Sequence, residues 1–107
     1  MIAQRCIRVV SLWIHPGQEA AFDAYEREAV RIMARHGGRI DSAVRVEPDM
    51  TPDSVGAPPF EVHVVSFPDL AAADSYAADP ETAEMRLRRP TIFARTELLS
   101  GRMAGPY

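Results

Sequence analysis

The chain has a single cysteine, Cys6, so no internal disulfide can staple it and the core must hold by packing alone. That economy suits a reducing cytoplasm, the expected location. A basic surplus is also lacking. Fifteen acidic side chains against twelve basic ones leave a formal net charge of −3, which offers no broad surface to a polyanion, and no nucleic-acid partner is expected. Long hydrophobic runs are absent too. The N-terminal MIAQRCIRVVSLWI is broken by Arg5 and Arg8 and soon followed by Pro16, so it reads as neither a secretion signal nor a membrane span. No Gly-rich phosphate loop, nucleophile elbow or HExxH helix occurs, which removes the reaction classes carrying those signatures. His15, His36 and His63 lack the short spacing of a local zinc site. No metal and no cofactor is therefore expected, and neither an internal repeat nor a low-complexity tract is visible.

What is present reads as one domain spanning residues 1–107, a length in the commonest range for a single core. Cys6 to Ile14 is apolar and β-branched apart from Arg8 and Ser11, the composition of a strand. HPG at 15–17 breaks it. Phe22, Tyr25, Ala29, Ile32 and His36 then recur at helical spacing, while Asp23, Arg27, Arg31 and Arg35 make a solvated stripe. Gly37 can take the positive φ at which a helix ends, and Gly38 lets the chain reverse. Residues 39–47 alternate as a half-buried strand. Residues 48–59, with Pro48, Pro52, Gly56, Pro58 and Pro59, read as a loop. A third strand covers 60–67. Asp69 caps a short helix to about Ala77, and the Asp79–Pro80 pair restarts a helical turn reaching Arg88 or Arg89. Pro90 is expected to end it, and 91–103 supplies a fourth strand.

The order βαββαβ implies an α+β, ferredoxin-like split arrangement: a four-stranded antiparallel sheet with two helices on one face. Strand parity, taken without bulges, sends Ile40, Val44, Val62, Val64, Ile92 and Leu98 toward the helices. It sends Arg45, Glu47, Glu61, His63, Arg95 and Glu97, with Val65, Phe67, Phe93 and Leu99, to the other face. A face that mixes large apolar groups with opposite charges calls for a cover, and a second copy of the same sheet provides one, hence an expected homodimer.

PGQEAAFDAYEREA, then RHGGR, and later SFPDLAAADSYAADPE resemble the dimeric α+β-barrel proteins, in particular the NIPSNAP-like and unknown-function branches. The resemblance covers both helices and their flanking strand ends, about half of the chain. It implies two ferredoxin-like sheets joined face to face, with pockets between sheet and helices. The superfamily includes cofactor-independent monooxygenases, isomerases, haem enzymes and proteins without assigned activity, so fold alone selects no reaction. Similar sequences often carry an aromatic residue just after the Pro-Glu pair, where this chain has Thr82; Tyr76 is the available substitute.

Candidate site residues follow from chemistry. His36 sits at the end of the first helix, either capping its carbonyls or acting as a general base beside Arg39. With Tyr25 these form the candidate catalytic set. His63, next to Glu61 by parity, reads as an acid or base in the barrel interior, or as a hydrogen-bonded interface residue. Trp13, His15, His63, Tyr76 and Arg86 are candidate ligand contacts, with Trp13 equally a core residue and His15 a loop residue. Arg86, Arg88 and Arg89 cluster after the second helix, as a carboxylate clamp or a solvated helix end. Two functions remain open: a cofactor-independent enzyme, monooxygenase- or isomerase-like, on a small organic molecule, or a non-catalytic dimeric module that binds a small ligand.

Overall fold

The computed structural model describes residues 5–51 and 56–107; Pro52 of the expected loop lies outside them. Strand β1 is Cys6–Ile14. Helix α1, Glu19–Ala34, buries Phe22, Tyr25, Ala29, Ile32 and Met33 along one stripe. Its end is set by backbone geometry. Gly37, at φ +72°, donates its N–H to Ala34, and Gly38 donates to Met33, a paired closure that satisfies carbonyls left open by the last turn. His36 lies beyond the helix, so its place on the buried stripe is corrected.

Strand β2 is Arg39–Arg45, two residues shorter than expected, because Glu47 already precedes a 3₁₀ turn at Pro48–Met50. Strand β3 is Glu61–Phe67. Asp69 accepts the Ala72 N–H at 2.8 Å and starts α2, Leu70–Ala78. Asp79 accepts the Glu81 N–H at 2.9 Å and starts α3, Pro80–Arg86. Against the expectation from sequence, Pro90 does not end the helical region. It sits in the first turn of α4, Arg89–Ile92, where a missing N–H costs nothing. Strand β4 is Phe93–Gly101.

The sheet order is β2-β3-β1-β4 with antiparallel neighbours. This is the expected α+β, ferredoxin-like architecture. Buried residues of the helices pack on Leu12, Val65 and Phe67, which the register places on one face of the sheet. The extents of 44 × 40 × 17 Å match one sheet plus one helix layer, and the other sheet face carries no helix.

Strand parity needs correction. His63 pairs with Val10 and Glu61 with Leu12, so Glu61, His63, Val65 and Phe67 face the helices while Val62 and Val64 face away. A bulge between Ile40 and Ser42 reverses β2, turning Arg45 inward and Val44 outward. A second irregularity at Trp13/Ile14 brings Phe93 into the core. Leu98, Ile40 and Ile92 do lie on the helix side, and Arg95, Glu97 and Leu99 on the open side, as parity has it. A bulge adds one residue on one strand, and each added residue exchanges the faces beyond it.

Candidate functional site

A cavity of about 370 Å³ opens between the helix-side face of the sheet and the helices, within the range of small-molecule sites. Each element contributes by its periodicity. Alternation along β1 brings in Arg8, Val10 and Leu12, and β3 brings His63, Val65 and Phe67; the α1 stripe supplies Tyr25 and Glu26, while Tyr76, Arg86 and Arg89 come from α2, α3 and α4.

His63 is 3% exposed. Its Nε2 lies 2.5 Å from Glu61 Oε2, and its Nδ1 lies 3.9 Å from Glu26 Oε2. Glu61 also accepts from Arg45 Nε at 2.8 Å, and Arg45 reaches Asp23 at 3.3 Å. An ionised carboxylate can only accept, so His63 donates through Nε2 to Glu61 and turns Nδ1 toward Glu26. Burial works against ionisation of Glu61, but the hydrogen bonds from His63 and Arg45 outweigh it and hold its carboxyl below the ordinary value. Glu26 goes the other way. Burial, with the Glu61 charge adding, pushes its carboxyl up against the pull of His63 and Arg89. Two carboxyls flanking one imidazole are thus driven apart, the pattern that separates a fixed anion from a proton carrier. Tyr76, pushed up to about 12 by burial, stays a neutral phenol facing the cavity.

The residues named from sequence separate. Tyr25, His63, Tyr76 and Arg86 border the cavity. His36 does not: its Nε2 bonds Asp79 at 2.8 Å, tying the end of α1 to the start of α3 rather than capping its own helix. Arg39 is exposed and bonds Asp41 at 2.5 Å. The set His36, Arg39 and Tyr25 is therefore not assembled in one place. His15 Nε2 donates to the Pro90 carbonyl at 3.1 Å, joining the chain ends of β1 and α4. Trp13 lies on the open sheet face, donating to Ala57 at 2.9 Å with Arg95 stacked 4.6 Å above its ring. Arg88 bonds Glu28 on the outside. Thr82 is fully buried away from the cavity, whose wall Tyr76 supplies.

Among solved structures, a protein of unknown function from Rhodopseudomonas palustris superposes with a TM-score of 0.82 at 18% identity, covering 97% of this chain and 85% of that one. A candidate antibiotic biosynthesis monooxygenase from Bacteroides thetaiotaomicron gives 0.74 at 19%, covering 99% and 95%. A NIPSNAP family protein of unknown function from Agrobacterium tumefaciens gives 0.68 at 17%, covering 97% and 92%. The chain shares their α+β, ferredoxin-like fold. No family model and no curated protein matches the sequence, so the likeness is one of fold alone.

Two charged members of this cavity escaped sequence reasoning as site residues, Arg8 and Glu26, whereas Arg89 belongs to the arginine cluster named from sequence. Glu26 follows Tyr25 on α1 and has no partner at helical spacing that marks it. Arg8 carried a signal, a charge in the middle of an otherwise apolar strand.

Proposed function

We propose that the cavity binds a small organic molecule and moves a proton on it, with Glu26 as the proton carrier and His63, anchored by Glu61, as its electrostatic partner. The observation that carries this reading is the meeting of Glu26 and His63 at 3.9 Å in the wall of one cavity. Deprotonation beside a carbonyl or phenol needs no cofactor. Return of the proton to another carbon is isomerisation, and the same carbanion is the species that dioxygen oxidises in the monooxygenase-like case. Solvent deuterium uptake by a panel of enolisable and phenolic compounds tests it: wild type should accelerate exchange on at least one, and Glu26→Gln should not. Equal acceleration by the variant would remove Glu26 from the chemistry.

The second reading is a binding module without chemistry. It is favoured by the full hydrogen bonding of Glu61 and by His63 packing 6.3 Å from the Phe22 ring, which a purely structural network would also have. Saturable binding with no exchange on any ligand would select it.

We also propose that residues 1–107 act as one domain in a homodimer formed through the open sheet face. Val44, Val62, Val64 and Leu99 occupy that face by register, and Val44 and Leu99 are 60% and 70% exposed in the protomer. Among the described residues no helix is long and apolar enough to cross a membrane. The single, unpaired Cys6 supports a reducing, cytoplasmic setting.

A further inference from the structure

All twelve cationic side chains of this protein are arginines, without one lysine. Six of them, Arg31, Arg35, Arg39, Arg45, Arg88 and Arg95, are matched to carboxylates on the surface or at the sheet edge. Those bordering the cavity are not. Arg8, Arg86 and Arg89 form no ion pair among the described residues. Among the described residues Arg89 donates only to the Tyr25 hydroxyl, at 3.3 Å, and it lies 4.7 Å over the Phe93 ring. Arg86 sits 5.9 Å over the Tyr76 ring. Arg8 is the decisive case: its Nε is buried without any hydrogen-bond partner among the described residues. A guanidinium donor withdrawn from water and left unpaired costs free energy that a native fold rarely leaves unanswered.

We infer that the cavity is built for an organic carboxylate, whose anionic end is seated on Arg8 with Arg86 and Arg89 while its apolar body lies against Tyr25, Tyr76 and Val65. This rests on the reading of the cavity as a small-molecule site and adds the class of molecule. A planar guanidinium matches a carboxylate through paired N–H donors. Size and charge narrow the choice. About 370 Å³ holds a compact molecule, and three guanidiniums set against the Tyr25 and Tyr76 rings suit an anion with an aromatic or short alkyl body.

The test pairs carboxylates with their uncharged amides: benzoate with benzamide, 4-hydroxybenzoate with 4-hydroxybenzamide, and phenylacetate with phenylacetamide, titrated into the full chain by calorimetry. Wild type should bind at least one carboxylate saturably and about tenfold or more tighter than its amide. Arg86→Gln, on an exposed helix position where folding is little affected, should lose most of that preference. Arg8→Met, which retains the packing of the stem, should do the same. Equal affinity for acid and amide overturns the carboxylate seat but leaves the cavity a binding site. Failure of every acid and amide to bind overturns both the seat and the reading of the cavity on which it rests.

Discussion

His63 Nε2 and Glu61 Oε2 meet at 2.5 Å on the helix side of β3, both residues buried. The other Glu61 oxygen takes the Arg45 donor at 2.8 Å, so one carboxylate satisfies two cationic or polar donors from two strands. Glu61→Ala leaves both donors without their acceptor in a low-dielectric setting. We expect a loss of about 2–3 kcal/mol, read as a lower urea midpoint at unchanged slope. Glu61→Gln, which keeps an acceptor oxygen, should recover part of it. An alanine variant as stable as wild type would mean that this network holds nothing together.

The opposite directions of the two carboxyls give a stability profile with two slopes. Glu61 is held below its ordinary value near 4.5, so its stabilisation is present above that pH and is lost as pH falls through the folded value. Glu26 is raised above the same reference. The folded state then keeps a proton that the unfolded chain has released, and stability declines as pH rises from 4.5 through the folded value. Thermal midpoints followed from acid to neutral pH should therefore fall less steeply on the acid side in Glu61→Gln, the remaining slope coming from Asp41, Asp79 and Glu81, which are held low as well. In Glu26→Gln the gain over wild type should be larger at neutral pH than at the acid end. A Glu26→Gln gain that is constant with pH would show that its carboxyl is not shifted by folding.

Gly38 tests the close approach of α1's exit to β3. A Cβ built there falls 2.4 Å from Cε1 of the buried Phe67 ring, although its φ is ordinary. Gly38→Ala should cost about 1–3 kcal/mol by overpacking, and Phe67→Leu in the same chain should relieve part of that cost. A neutral Gly38→Ala variant would indicate that the ring moves aside freely.

Most of the element order was legible because each element carries its own period. The α1 stripe, the alternation in β2 and the Asp69 and Asp79 caps all act within a few residues. The faces of the strands were not legible. In FEVHVVSF the valines look like the core set and the Glu-His pair like the exposed one, yet the register buries Glu61 and His63 because they satisfy each other and Arg45. Two irregularities, at Ile40/Ser42 and Trp13/Ile14, then reverse faces without leaving a glycine or proline to mark them. The site suffered accordingly. Tyr25, Tyr76, His63 and Arg86 were found by type, whereas pairing His36 with Arg39 assumed that neighbours in sequence share a pocket, and the Asp79 bond draws His36 elsewhere.

The corrected faces sharpen the expectation for assembly. His63 is buried beneath the helices, so its removal should not affect a sheet-to-sheet contact. Val64, paired with Val9 in the middle of the sheet, points out of the open face and would be desolvated against a second copy. Val64→Asp places an unpaired charge there. Such a charge should weaken association by about a hundredfold or more, seen as monomer in native mass spectrometry and light scattering at concentrations where wild type is dimeric. Leu99→Ala should weaken it less, because it removes apolar area without adding charge. His63→Ala gives the opposite control: assembly retained, with the cavity altered. A wild-type protein that stays monomeric at high concentration would mean the apolar sheet face is tolerated in water. Dimers that survive Val64→Asp would place the interface on another surface.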